Sequence, residues 1–84
     1  MMTEFAILVQ CYERGGRYYA DEIVTRRTAE GYCNSPLRGA PLGRSALGID
    51  DAYADFVRRV GIENPDLTLT FVRATPEQIQ KGGF

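Results

Sequence analysis

The chain contains no histidine, only two cysteines and no long hydrophobic run. Histidine is the commonest general base and metal ligand, so its absence excludes many enzyme and metalloprotein classes. Cys11 and Cys33 form no CxxC pair, so we predict two free thiols rather than a disulfide framework or a zinc cluster. The apolar run from Phe5 to Val9 is too short for a signal peptide or membrane span. We therefore expect a cytoplasmic protein with no cofactor and no membrane association.

The length and composition predict one small globular domain. The 84 residues are 44% hydrophobic and 25% charged, which is ordinary for a folded chain. A chain of this size holds one core and no second domain. Nine of the ten basic residues are arginine, which suits bidentate contacts with carboxylates or phosphates, but the net charge is only −1.

The first half of the chain predicts a β-hairpin. Phe5 to Tyr12 is aromatic and β-branched and is apolar on both faces, which is typical of a central strand. The adjacent glycines Gly15 and Gly16 allow the positive φ angles of a tight turn. We predict that Tyr18 to Thr28 is the returning strand. A helix over residues 21–30, closed by Gly31, is the alternative.

Residues 31–48 predict a long loop. They hold four glycines and two prolines and have neither a helical nor a strand period. Loops of this length in compact domains are commonly functional or disordered, so a binding role is expected here first. The segment from Ala40 to Leu47 has room for a short third strand or a helical turn.

A helix is predicted after the loop, with Asp50 or Asp51 capping its start and Gly61 its end. Its apolar residues recur at helical spacing on one face. These residues are Ile49, Ala52, Tyr53, Phe56, Val57 and Val60.

The C-terminal part predicts a further strand and a short helix. Leu67 to Arg73 alternates in the manner of a half-buried strand, and we expect it beside the first strand. Thr75, Pro76 and Gln78 form a helix-start pattern, with the end expected near Gly82. The predicted fold class is α+β: a small antiparallel sheet with one amphipathic helix packed on it, in the order β-β-loop-α-β and a short α.

Tyrosines gather around the hairpin and the start of the loop, interleaved with arginines. Such a set can stack bases and grip phosphates, but tyrosine also favours strands for packing reasons alone. A nucleic-acid-binding domain normally has an excess of positive charge, so the net charge of −1 makes direct nucleic-acid binding less favoured than binding to a protein. The residues are Tyr12, Tyr18, Tyr19 and Tyr32 with Arg14, Arg17, Arg26 and Arg27.

Charge is unevenly distributed along the chain. Residues 23–49 hold four arginines against Glu30, and residues 50–66 hold five acids against two arginines. This pattern favours an electrostatically steered protein partner or head-to-tail self-association, and a homodimer is included among the expected partners. Local neutralisation of the charges in the fold is the alternative.

No catalytic constellation stands out. The best candidates are Cys33 and the aspartates Asp50, Asp51 and Asp55, but a nucleophilic cysteine needs a base that the chain does not supply nearby, and the aspartates fit a helix cap and a solvated face. Neither GxxxxGK[ST] nor GxGxxG is present in a strand-to-helix context. We predict a protein that is not an enzyme.

Two resemblances concern the whole architecture. The segments FAILVQCYERGGRYYADEIV, GIDDAYADFVRRVG and LTLTFVR resemble the sheet-plus-helix build of HicB-type antitoxins. The size and arginine-rich composition are similar to those of small phage- or mobile-element-encoded inhibitors such as anti-CRISPR proteins, which implies occlusion of a partner's surface. We predict a protein-binding inhibitor, with a nucleic-acid-binding or antitoxin-like module as the alternative. The predicted contact residues are Arg26, Arg27, Arg38, Arg44, Tyr18 and Tyr32.

Overall fold

The structure, a computed structural model, describes residues 4–28 and 31–84. It is an α+β domain in which one helix packs on a small sheet and a second, short helix follows the last strand. The elements are β1 (Glu4–Arg14), β2 (Arg17–Arg27), β3 (Gly31–Tyr32), β4 (Gly43–Ser45), α1 (Ile49–Glu63), β5 (Thr68–Arg73) and α2 (Pro76–Lys81).

The predicted hairpin is confirmed. Gly15 and Gly16 have φ angles of 59° and 77°, and the pairing of β1 with β2 runs from Arg14 opposite Arg17 along both strands. The returning segment is therefore a strand up to Arg27 and not a helix, because the tight turn places it beside β1 throughout. Residues 29 and 30, which the helical alternative included, lie outside the described residues.

The sheet corrects the antiparallel prediction, because it is mixed. Its order is β3-β2-β1-β5, and β4 also pairs with β2. β5 lies beside β1 as predicted, but the two strands are parallel. Only a tight turn forces antiparallel pairing; here the loop and α1 separate β2 from β5, and this connection is long enough for a parallel return. The predicted loop also contains β3 and β4, and β4 falls within the segment from Ala40 to Leu47.

The main core lies between α1 and one face of the sheet. Ile7, Val9 and Ala20 are fully buried there. The predicted helix face packs against them: Ala52, Phe56 and Val60 are buried and Tyr53 and Val57 are half-buried, while Ile49 stays 38% exposed.

Both predicted ends of α1 are wrong. The helix begins at Ile49 with Gly48 at the N-cap and no side-chain cap, and it continues through Gly61 to Glu63. Asn64 occupies the C-cap position with φ −131°, so the left-handed conformation that makes glycine a helix terminator is not used here. The buried Asn64 side chain, rather than glycine, completes the last turn.

The C-terminal segment lies on the face of the sheet opposite α1. The side chains of Ala6 and Leu8 point to this face, yet they are only 6% and 0% exposed. Phe84 lies on this face, because its ring centroid is 4.4 Å from the guanidinium carbon of Arg26, which pairs with Ala6. The short helix α2 leads there, and its predicted start is confirmed by a capping box between Thr75 and Gln78.

Candidate binding surface

Two tyrosines stack on the sheet face opposite α1, at the hairpin end. Tyr12 and Tyr19 are direct cross-strand partners, their ring centroids are 5.3 Å apart, and their planes differ by 20°. Both rings are half-buried. The guanidinium carbon of Arg14 lies 5.5 Å from the Tyr12 ring centroid, within the range of a cation–π contact. The rings thus form a rigid apolar platform bordered by positive charge.

Three arginines surround this platform. Arg14 and Arg17 are cross-strand partners next to the turn, and Arg44 of β4 is the partner of Tyr19. Since directly paired residues share a face, all five residues lie on one surface. We call Tyr12, Arg14, Arg17, Tyr19 and Arg44 the Tyr–Arg cluster.

The arginines of the cluster are exposed and are not neutralised by the fold. Among the residues that the structure describes, Arg14, Arg17 and Arg44 make no ion pair with an acidic side chain. Four other arginines do: the pairs are Arg38–Asp66, Arg58–Asp55, Arg59–Asp55 and Arg73–Asp50. The cluster therefore presents three positive charges that a partner can contact.

Asp21 orients the platform. The Tyr12 hydroxyl donates a hydrogen bond to Asp21 Oδ2 at 2.5 Å. This hydrogen bond, with a smaller effect of burial, raises the pKa of Tyr12 above its ordinary value. Tyr12 thus stays a neutral donor at physiological pH. Asp21 fixes its hydroxyl, and Tyr19 stacks on the face of its ring.

The structure separates the two arginines predicted in the loop. Arg38 lies beside the C-terminal end of α1, where its backbone N–H donates to Asn64 Oδ1 at 2.8 Å and its guanidinium pairs with Asp66 at 3.0 Å. Arg44 lies in β4, next to Gly43, which packs against Ala52 in the first half of the helix. Of these two, only Arg44 belongs to the Tyr–Arg cluster.

The other predicted contact residues are distributed over both faces of β2. Arg26 lies under Phe84 on the cluster face, and Tyr32 pairs with it in β3. Arg27 lies 5.9 Å from the Phe5 ring centroid on the α1 face. Tyr18 also packs against the α1 core. The six predicted residues therefore do not form one surface.

A groove opens between the loop and the sheet, with a volume of about 570 Å³. Ser35 Oγ donates to Glu22 Oε2 at 3.1 Å across it, and Phe56 contributes to its apolar floor. Its polar lining otherwise consists of Gln10 and Asp21, so its charge is opposite to that of the neighbouring cluster.

The two cysteines are half-buried in different surroundings. Cys11 is half-buried against the core between the sheet and α1, and burial raises its thiol pKa, with a smaller opposing effect of Arg73. Cys33 donates to the backbone oxygen of Thr25 at 3.7 Å. Within residues 4–28 and 31–84, no group of three or more metal-ligating side chains is present and no helix is long and apolar enough to cross a membrane.

No family model, curated protein or solved structure matches this chain. The functional argument therefore rests on the surface itself. The sequence already showed Tyr12, Arg14, Arg17 and Tyr19 among tyrosines interleaved with arginines, and the two-glycine turn between Arg14 and Arg17 is the feature that brings them together. A two-residue turn fixes the register, and the register places Tyr12 opposite Tyr19 and Arg14 opposite Arg17.

Proposed function

We propose that this protein is a non-enzymatic inhibitor or regulator that occludes an acidic surface of a protein partner with its Tyr–Arg cluster. The observation that carries the proposal is the stacked Tyr12–Tyr19 pair surrounded by three arginines without an acidic partner among the described residues. Tyrosine and arginine are enriched among the residues that dominate protein interfaces. An inhibitor of the anti-CRISPR kind would act in this way.

Preorganisation supports a binding role. Ordering flexible side chains on a partner costs free energy, and a ring that is already fixed avoids much of that cost. Tyr12 is fixed by Asp21 and by stacking on Tyr19. The arginines supply long-range attraction, which raises the association rate with an acidic partner and discriminates against basic ones.

Charge around the cluster favours protein over nucleic acid. Asp21 accepts from Tyr12 within the surface, and Glu22 lies in the adjoining groove. These carboxylates would repel a continuous phosphate backbone, whereas a protein partner can present acids and bases alternately. The net charge of −1 points the same way.

Single-stranded nucleic acid is the second candidate, favoured by one observation. Half-exposed aromatic rings on a sheet, with arginines beside them, are how many single-strand-binding domains stack bases. On this chain Tyr12 and Tyr19 would stack bases while Arg14, Arg17 and Arg44 contact phosphates.

The test compares two charge-matched double variants. Arg14→Ala with Arg44→Ala removes two charges from the cluster, and Arg58→Ala with Lys81→Ala removes two exposed charges elsewhere. Each tagged protein captures partners from nuclease-treated bacterial lysate, the captured proteins are identified by mass spectrometry, and calorimetry measures the purified pair. The proposal expects a protein bound by wild type and control but at least about tenfold more weakly by the cluster variant.

A second arm measures binding of a fluorescent oligothymidylate by anisotropy over a range of salt concentrations. Tight, steeply salt-dependent binding that the cluster variant loses would replace the protein-partner proposal with the nucleic-acid one. Equal protein capture and equal oligothymidylate binding by the cluster variant and the control would overturn the role of the cluster for both partners.

A further inference from the structure

The outer edge of β5 is an unpaired sheet edge. β5 pairs with β1 along Glu4 to Val9 and is the last strand in the sheet order. Among the residues that the structure describes, no strand pairs with its other side. Such an edge presents a row of backbone N–H and C=O groups that can pair with another strand.

Five of the six residues of β5 lack the features that commonly prevent such pairing, and only its last residue, Arg73, carries a charge on the α1 face. Natural edge strands carry lysine, proline, bulges or inward-pointing charges. Thr68 to Val72 contains none of these, and its register with β1 is unbroken. The charges at its ends are neutralised within the chain, because Arg73 pairs with Asp50 at 2.7 Å and Asp66 with Arg38 at 3.0 Å. The edge is therefore neutral, so two copies can meet there without repulsion between like charges.

The side chains of β5 are also incompletely covered. α1 packs mainly over β2 and β4, away from the edge of the sheet that β5 forms. Leu69 and Phe71 face α1 but remain half-buried, although Phe71 makes an edge-to-face contact with Phe56 at 6.1 Å between centroids. A strand added beside β5 would bury more of both apolar side chains.

We propose that a second copy of this chain pairs with β5, antiparallel, about a two-fold axis at Thr70. In this register Thr70 faces Thr70 of the second copy, Leu69 faces Phe71, and Thr68 faces Val72. Directly opposed residues then share a face, and each pair is of a kind that stabilises sheets. The two sheets form one continuous sheet with both copies of α1 on the same side.

The composition of β5 selects this register and favours a copy as the occupant. Centring the pairing on Phe71 would place Leu69 opposite Arg73, and centring it on Leu69 would leave fewer strand residues paired. The register at Thr70 pairs Thr68 to Val72 with no charge among them, and Arg73 then lies opposite Leu67, which precedes the strand. This homodimer uses a different surface from the Tyr–Arg cluster and does not depend on the proposed function.

The first test is sedimentation of wild type over a wide concentration range, with Thr70→Lys and Gln80→Lys compared. Thr70 and Gln80 are both exposed, so each variant adds one charge at the surface. Two lysines would face each other across the axis only in Thr70→Lys, so its dimer dissociation constant should rise at least about tenfold, while Gln80→Lys should dimerise like wild type. A wild type that stays monomeric, or a dimer that Thr70→Lys leaves unchanged, overturns the proposal.

The second test fixes the register without adding charge. Thr70→Cys should cross-link to its own copy under mild oxidation, because directly opposed Cα atoms on neighbouring strands have a separation that suits a disulfide. Thr68→Cys faces Val72 and should cross-link no more than wild type, which supplies the background from Cys11 and Cys33. Cross-linking of Thr68→Cys but not Thr70→Cys would overturn the register. Circular dichroism verifies that both variants fold.

Discussion

The Asn64 side chain joins the end of α1 to the loop at Arg38. Its Oδ1 accepts from the Arg38 backbone N–H at 2.8 Å, and its Nδ2 donates to the Val60 backbone oxygen at 3.0 Å. The residue is 1% exposed, so water does not replace these bonds readily. One amide thus satisfies a helix-end carbonyl and anchors the long loop that lines the groove.

Asn64→Ala should destabilise the protein by about 1–3 kcal/mol, because it leaves the Arg38 N–H without its partner and removes a buried side chain. Chemical denaturation monitored by circular dichroism measures the change. Asn34→Ala is the matched control, since Asn34 is exposed in the same loop and should change stability by less than about 0.5 kcal/mol. Equal effects of the two substitutions would show that Asn64 does not anchor the loop.

Local signals predicted most of the fold. The Gly15–Gly16 turn, the apolar face of α1 and the Thr75 capping box each depend on residues close in sequence, and each is confirmed. The parallel direction of β5 was not predictable in this way, because it depends on how the loop and α1 cross the sheet. The end of α1 was misjudged because a distant partner, Arg38, stabilises Asn64.

The candidate surface was predictable only in part. The hairpin register brings Tyr12 and Tyr19 together, and a two-residue turn in the sequence implies that register. Arg44 joins them only because β4 pairs with β2, and no local pattern indicates this long-range pairing. Arg38 was expected to act with Arg44, but the contacts of its backbone with Asn64 place it at the other end of α1.

Gly43 and Gly61 should respond to alanine in opposite directions. A Cβ at Gly43 would lie 2.7 Å from Phe56 Cβ and closer still to the Ala52 backbone oxygen, whereas a Cβ at Gly61 would meet nothing within 4 Å. Gly43→Ala should therefore destabilise by about 1–3 kcal/mol through overpacking. Gly61→Ala should stabilise by about 0.5–1 kcal/mol, because alanine favours an exposed helix position.

Thermal melts of both variants, monitored by circular dichroism, measure these changes. A Gly43→Ala variant as stable as wild type would mean that β4 lies farther from α1 than in the structure. A destabilising Gly61→Ala would mean that the helix ends before Gly61.

Thr25→Val should stabilise the protein by about 1 kcal/mol. Thr25 is 2% exposed and lies opposite Ile7 on the α1 face, and its Oγ1 has no hydrogen-bond partner among the described residues. Valine has the same shape and removes the buried, unsatisfied hydroxyl. Urea denaturation measures the effect. Thr28→Val is the control, because the exposed Thr28 hydroxyl donates to the Glu4 backbone oxygen at 3.1 Å. Its loss should not stabilise the protein. A destabilised Thr25→Val would indicate that the Thr25 hydroxyl is satisfied in solution.

The Tyr12–Asp21 hydrogen bond should make stability depend on alkaline pH. The bond raises the pKa of Tyr12 in the folded protein, so its stabilisation is fully present below the ordinary tyrosine value of about 10 and is lost as the pH rises through the folded pKa. Tyr12→Phe should therefore be less stable than wild type at neutral pH, and the difference should shrink above that value. Denaturation of both proteins across the alkaline range measures this difference in stability, and effects of the other titrating groups cancel in the comparison.

Asp21→Asn is the control, because removing the carboxylate charge should return the phenolate absorbance change of Tyr12 towards the ordinary range. A constant difference between wild type and Tyr12→Phe at every pH would mean that Asp21 does not hold the Tyr12 hydroxyl, and the platform of the Tyr–Arg cluster would then be fixed by stacking alone.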